Sequence, residues 1–276
     1  MRKPREQITS RQNALVKLTV SLADRKHRER EGLFRFDGKK LLSEALQSNL
    51  PLFAVLWKAS ALPALESALG EIALPQDCRE AVLPDELFDK ISEENAPEGV
   101  ICVARRPADL HRVVSVSDRP AMAQALSGGQ TLLLQSVRDP GNLGTVIRSA
   151  AAFGVERVLL SADCADLYHP RTVRAAMGTL FRTRVLITPD VVEAARMLAA
   201  NGRVYAAALD AGACRLGDVP LGPQDTVIVG NEGHGISASL LAAATHKLYI
   251  PMAPGVESLN AGVAASVLLW ELFKGR

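Results

Sequence analysis

Aromatic residues make up only 4% of the 276 positions of this chain, too few to advertise a platform for stacking unpaired bases. The four cysteines, Cys78, Cys102, Cys164 and Cys214, are widely scattered. None forms a CxxC or pairs with histidine at ligand spacing, so they are expected to be free thiols packed as small hydrophobes. His27, His111, His169, His234 and His246 show no HxxxH or HExxH pattern, and no structural or catalytic metal is expected. No apolar run approaches the roughly 20 residues of a membrane span, and the basic N-terminus lacks the apolar core of a secretory signal. A cytoplasmic protein without a membrane partner follows as the expectation. Also missing are GxGxxG and GxxxxGK[ST], which argues against a phosphate-cradling loop.

What is present is ordinary in bulk and uneven in detail. Hydrophobic residues at 48% and charged residues at 22% are those of a soluble globular protein, and the length favours two domains. Residues 1–40 hold twelve Lys/Arg against five Asp/Glu, a local +7 in a chain of net charge +2. Such a block suggests a polyanion footprint, although a solvated helix face and a frayed terminus would give the same pattern. The candidate contacts are Arg11, Lys17, Arg25, Lys26, Arg28, Arg30 and Lys39.

Periodicity divides the chain into residues 1–106, a linker over 107–127, and residues 128–276. In the first part, "NALVKLTVSLADRKHRER" reads as one helix with a basic far side, while "LFRF", "LFAVLW" and "GVICVA" read as strands between short helices. The last part alternates buried strands with helices, which predicts a mostly parallel sheet covered on both faces. Asn142 is expected to open one of these helices. Ser258 is expected to cap the closing one, whose Leu259, Val263, Val267 and Trp270 share a face.

Ligands of open α/β sheets lie at the carboxyl ends of the strands. Three loops with unusual composition leave such ends: "SVRDPGNLGTVIR" (136–148), "GNEGHG" (230–235) and "PMAPGVESLN" (251–260). Alone, they read as a helix start, a tight turn and a rigid loop. Together they point to a composite site.

The triplet N-x-G-x-x-x-R (Asn142, Gly144, Arg148), G-N-E-G-x-G, and I-P-M-x-x-x-x-x-S-L-N (Ile250 to Asn260) resembles the three motifs of the SpoU, TrmH-like branch of the SPOUT RNA methyltransferases. The match runs in order from about residue 128 to the C-terminus and includes "DLYHPRTVRAAMGTLFRTRV". Residues 10–106 resemble the ribosomal-protein-like α/β substrate-binding domain that often precedes it, with Asp37 where relatives commonly carry Glu. The resemblance implies a parallel-sheet domain with a deep trefoil knot, a homodimer, and methylation of a ribose 2′-hydroxyl in RNA by S-adenosylmethionine. It favours rRNA of the 23S type over tRNA. A tRNA enzyme and a non-catalytic RNA-binding assembly factor are the alternatives.

By the same resemblance, main chain at Gly230, Ile250 and Leu259 binds the cofactor, with Gly233, Pro251, Met252, Ser258 and Asn260 nearby. The catalytic candidates are Asn142, Arg148, Glu232, Ser258 and Asn260, with Arg148 of one subunit completing the site of the other. The glycines after Val229 are expected to let main chain reach adenosine where a Cβ would intrude. Glu232 is expected to orient the loops by accepting backbone N–H bonds, or to contact substrate. Arginine has been proposed as the base in this family. Neutralising one near pH 7 costs roughly 7 kcal/mol, so a cation that grips phosphate and favours a ribose alkoxide is the cheaper role.

Overall fold

In the computed structural model, which describes residues 5–69, 74–210, 212–256 and 258–274, the stretch expected as one basic helix is two. After strand β1 (Glu6–Gln7), helix α1 (Ala14–Ser21) starts where the Asn13 side chain accepts Leu15 N–H at 2.8 Å. Helix α2 (Arg25–Glu31) starts where Asp24 accepts Lys26 N–H at 2.8 Å. Two N-caps so close together make two helices, each with its own start. The break turns Arg28 inward: it is 2% exposed, and its Nη1 donates to the carbonyls of Leu22 at 2.7 Å and Ala23 at 2.6 Å. Arg28 therefore leaves the RNA-binding set, because its guanidinium closes the end of α1 from inside. Arg11, Lys17, Arg25, Lys26, Arg30 and Lys39 are exposed, with Arg25 donating to Glu29 and Arg30 to Glu31.

The chain continues through β2 (Leu33–Asp37), α3 (Lys39–Gln47), β3 (Leu52–Lys58), α4 (Leu62–Leu69), β4 (Arg79–Leu83), α5 (Asp85–Ile91) and β5 (Val100–Arg105). The strands form one sheet in the order β1-β4-β3-β5-β2, with β5 antiparallel to both neighbours. Ile8, Leu15, Leu56, Leu83, Phe88 and Val103 are among the residues of its core.

Residues 107–127, read from the sequence as a linker, carry β6 (His111–Val113) and α6 (Arg119–Leu126). The chain then forms β7 (Thr131–Leu134), α7 (Pro140–Ala152), β8 (Arg157–Ser161), α8 (Pro170–Ala176), β9 (Val185–Thr188), α9 (Val191–Ala199), β10 (Val204–Ala207), β11 (Cys214–Arg215), β12 (Thr226–Val229), α10 (Ala238–Ala243), β13 (His246–Tyr249) and α11 (Ala261–Lys274). Eight strands make one sheet in the order β11-β13-β10-β12-β7-β8-β9-β6, parallel at every pairing. The central strands are buried on both faces, which is why they read as unbroken apolar runs. Met122, Ala125 and Leu126 of α6 share a core with Leu133, Leu159 and Leu186, so burial of this apolar side ties the 107–127 segment into the second unit. From β7 the chain lays β8 on one side, and β12 later takes the other. That reversal puts the exits of β7 and its neighbour β12 at the switch point of the sheet, where open α/β sheets bind ligands. A cavity lies on the β12 side of it, at the exits of β12, β10 and β13.

Two compact units result: residues 1–107 with Tyr168–Arg182, and Ala108–Leu167 with Thr183–Arg276. The stretch 168–182 thus packs with the N-terminal unit, although it lies between the first two motifs. Its aromatic rings explain the attachment. Tyr168 lies 4.8 Å from Phe34 and Phe181 lies 5.1 Å from Phe36, and Arg106 stacks over Tyr168 at 4.7 Å. Arg182 also donates to Glu44 at 2.7 Å. Hydrogen bonds from Lys40 and Arg182 hold the Glu44 carboxyl below its usual range despite burial.

Helix α11 buries Ala261, Gly262, Ala265, Leu268, Leu269 and Leu272. The expected apolar stripe is on the other side. Val263 is 51% exposed and Trp270 49%, with Phe273 at 44%. Within the unit α11 pairs with α7 through Ser149 and Ser266 hydroxyls 2.8 Å apart, and Phe153 meets Trp270 at 5.7 Å.

Candidate active site

The loop after β7 is organised by Asp139, which caps α7 by accepting Asn142 N–H at 2.8 Å. Asn142 is therefore not the cap expected of it. It sits in the first turn, which leaves its side-chain amide free to reach across the sheet end. Its Nδ2 donates to Glu232 Oε1 at 2.9 Å, and its Oδ1 accepts from Asn260 Nδ2 at 3.0 Å. Asn260 in turn accepts Gly262 N–H at 2.9 Å and Val263 N–H at 3.3 Å. Asn260, not Ser258, is thus the cap of α11, and one line of amides ties the three motif loops together.

Asn231 anchors the middle loop from the other side. Its Nδ2 donates to the Ser136 carbonyl at 2.8 Å, while its Oδ1 accepts Gly233 N–H at 2.9 Å and His234 N–H at 3.1 Å. The loop closes on itself, with Asn231 N–H donating to the Gly235 carbonyl at 3.0 Å and Gly235 N–H returning to Asn231 at 2.9 Å. Gln135, at the exit of β7, exchanges bonds of 2.9 and 2.8 Å with Ser237. Glu232 differs from the expectation: its carboxylate receives the amide of Asn142, and at 3.5 Å that of Asn231, in place of backbone N–H groups.

The bareness of "GNEGHG" is a demand of the loop. A Cβ on Gly230 would stand 2.3 Å from the Gly235 carbonyl carbon and 2.6 Å from Ile236 N, and Gly235 has φ +66°. One glycine permits the close approach and the other supplies the left-handed turn. The fold of the loop itself already excludes a side chain at Gly230.

The middle and last of these loops, with the exit of β10, border a cavity of about 400 Å³ at the carboxyl ends of β10, β12 and β13, within the usual span of small-molecule sites. No residue of the first loop, Asn142 included, lines it. Gly230, Ile250, Met252, Ser258 and Leu259 line it, as do Glu232 and His234. Gly233, Pro251 and Asn260 lie outside the lining, and Arg148 is exposed on α7, also outside it. The sequence reading missed Ala207, Ala208 and Leu209, which line the cavity at the exit of β10. It also passed over Asn231, the organiser of the quoted loop. The walls are mainly aliphatic side chains and main chain, suited to a flat neutral ring read along its edges.

Elsewhere, burial pushes the Cys78 thiol up to about 12 and raises Cys102 and Cys164, so none of these three offers a thiolate. Among the described residues no three His, Cys, Asp or Glu side chains gather as a metal-binding group, and no helix is long and apolar enough to cross a membrane.

A parallel α/β sheet whose strand-exit loops are laced into one small-ligand pocket defines the class. Comparison with known proteins narrows it: residues 129–270 match the SpoU rRNA methylase family and residues 13–102 the MRM3-like substrate binding domain. The chain belongs to the SpoU rRNA methylase family. It is 31% identical over 273 residues to the 23S rRNA (guanosine(2553)-2′-O)-methyltransferase RlmP of Bacillus subtilis, covering 97% of this chain and 99% of that one. The solved AdoMet-bound rRNA methyltransferase of Sinorhizobium meliloti is similar at 26% identity and TM-score 0.76, over 98% of this chain and 97% of that one. So is the SpoU methyltransferase AviRb of Streptomyces viridochromogenes in complex with AdoMet, at 26% identity and TM-score 0.76, over 95% and 98%.

Proposed function

We propose that this protein methylates a ribose 2′-hydroxyl of 23S-type rRNA with S-adenosylmethionine, as a cytoplasmic homodimer. The observation that carries the reading is the largely aliphatic, main-chain-lined cavity whose bordering loops are tied together by the Asn260–Asn142–Glu232 hydrogen bonds. Its size and largely apolar lining fit an adenosine moiety. Main chain at Gly230, Ile250 and Leu259, with the side chains of Leu209, Met252 and Ser258, would hold it. Bound there, the cofactor supplies a methyl already activated by its sulfonium. The protein has then to align the ribose oxygen and favour its loss of a proton, and alignment alone is worth about 7–11 kcal/mol of barrier. Asn142 and Asn260 fix the loops that set this alignment. The Arg148 cation stabilises the developing alkoxide and the neighbouring phosphate. The names of the relatives, RlmP among them, support 23S rRNA as the substrate.

The dimer rests on the exposed Val263, Trp270 and Phe273 of α11, an apolar patch suited to self-association. Arg148 reaches the pocket of the partner in this reading. The family's trefoil knot belongs to the same reading, and the placement of β12 and β13 on either side of β10 is compatible with it. Incubating rRNA with the protein and methyl-labelled cofactor, then digesting to nucleosides for mass spectrometry, tests the reaction. Label in a 2′-O-methylnucleoside of 23S rRNA is the expected result. Label confined to bases, or found in tRNA alone, contradicts it.

Two further outcomes follow from the geometry. Gly230→Ala drives a methyl into the Gly235 carbonyl and opens the loop, so calorimetric affinity for S-adenosylmethionine should fall more than tenfold. Lys26→Ala should leave stability within about 0.5 kcal/mol while lowering the salt slope of RNA binding by about one unit. Arg28→Ala should do the reverse, destabilising by about 1.5–3 kcal/mol through its lost carbonyl bonds. Denaturant melts and filter binding at several salt concentrations read both.

A further inference from the structure

Ser136 is a non-glycine residue in the left-handed region, with φ +55°, at the exit of β7 where the first motif loop begins. Such a conformation persists only where its surroundings hold it. Three bonds do so. Its N–H donates to Ser161 Oγ at 2.8 Å, its Oγ donates to Asp163 Oδ2 at 2.6 Å, and its carbonyl accepts Asn231 Nδ2 at 2.8 Å. Ser161 Oγ meanwhile donates to Asp163 Oδ1 at 2.6 Å, which turns its lone pairs toward the Ser136 N–H. Both oxygens of Asp163 are thus engaged, one directly and one through Ser161, in fixing a single strained residue.

We infer that Asp163 is a positioning residue for the cofactor pocket, acting through the backbone of Ser136. The inference rests on the reading of the cavity as the S-adenosylmethionine site. Asp163 does not line that cavity, and its side chain is 47% exposed, so it looks like an ordinary surface acid. Its leverage comes from the next link. The Ser136 carbonyl sets the direction of the Asn231 amide, whose Oδ1 then gathers the N–H groups of Gly233 and His234. Asn231 and His234 line the cavity, and Asn231 precedes the Glu232 that receives Asn142. Partial burial works against the charged form of Asp163. The hydroxyls of Ser136 and Ser161 and the Arg138 guanidinium outweigh it and hold the carboxyl below its usual range, so it stays an acceptor.

Asp163→Ala releases Ser136 from φ +55°, swings its carbonyl and loosens the middle loop. Two measurements on the full-length protein read this: hydrogen exchange of the Gly233 and His234 amides without cofactor, and calorimetric affinity for S-adenosylmethionine. Exchange should quicken and affinity weaken by about tenfold each, the scale of one lost bond to a charged group. Asp163→Asn, which keeps the volume and one acceptor, should move both in the same direction by less. The decisive variant is Ser136→Gly placed on Asp163→Ala. Glycine adopts positive φ without support, so slow exchange and affinity should both return, which a general loss of stability would not permit. Unchanged exchange in Asp163→Ala, or faster exchange that Ser136→Gly fails to reverse, overturns the assignment. Because exchange is read without cofactor, a wild-type protein that binds no S-adenosylmethionine would count against the proposed function alone.

Discussion

Arg148→Ala should lower kcat by about a thousandfold while leaving the dissociation constant of S-adenosylmethionine nearly unchanged. The split follows from position. Arg148 is exposed on α7 and lies outside the lining of its own chain's cavity, so removing it takes no contact from a cofactor bound to the same chain. Under the proposed function, what is lost is a cation where a ribose oxygen gains charge, and that loss would be felt only on the way to the transition state. Arg148→Lys keeps the charge but not the planar fork, and should recover only part of the rate. If the arginine acts on its partner's pocket, two impaired chains should complement each other at a cofactor concentration that leaves the Gly230→Ala pocket largely empty. Mixing Arg148→Ala with Gly230→Ala gives mixed dimers with one intact pocket facing one intact arginine. About a quarter of wild-type activity should return, since half the dimers are mixed and each has one complete site. Weakened cofactor binding in Arg148→Ala, or no complementation, would move the residue to a different role.

The second large effect is expected at Asn142. Its side chain bonds the first motif loop to both of the others, to Glu232 at 2.9 Å and Asn260 at 3.0 Å. Asn142→Ala should reduce kcat/KM by about a hundredfold, the usual consequence of displacing reacting groups by an ångström. Stability should change little, because these bonds lie near the surface. Asn142→Asp sets a second carboxylate against Glu232 and should be no better than alanine. Adding Glu232→Gln restores a donor facing that aspartate, so the double variant should be more active than Asn142→Asp alone. Steady-state kinetics on the wild type, Asn142→Asp, Glu232→Gln and the double variant give the coupling directly, and strictly additive losses would show that the two side chains act separately.

The parts of the site legible in the sequence are those written in one strand and its exit. Buried parallel strands stand out as apolar runs, so the ends of β7 and β12 could be found, while β13 (HKLY), with only Leu248 buried, is marked by the loop that follows it. What escaped depends on contacts made at a distance. Which of Ser258 and Asn260 caps α11 is decided by where the chain arrives from β13, and Asn260 has both the oxygen for Gly262 and the amide for Asn142. The role of Gly230 depends on a carbonyl five residues later folding back to within 2.3 Å of where a Cβ would stand. Arg28 looked like part of a basic helix face because no pattern marks the break at Asp24 that sends it inward. Likewise the stripe of α11 has helical spacing, but packing buried the opposite side, which carries Ala261, Gly262, Ala265, Leu268, Leu269 and Leu272. The stretch 168–182 gave no local sign of its attachment to the N-terminal unit, which comes from rings on β2 meeting Tyr168 and Phe181.

The most direct measurement is a crystal structure of the protein with S-adenosylmethionine. The adenosine should lie at the exits of β10 and β13 against Leu209, Ile250 and Leu259, with Asn142 still bonded to both Glu232 and Asn260. A cofactor seated outside this cavity, or bound there with those two amide bonds broken, would contradict the account.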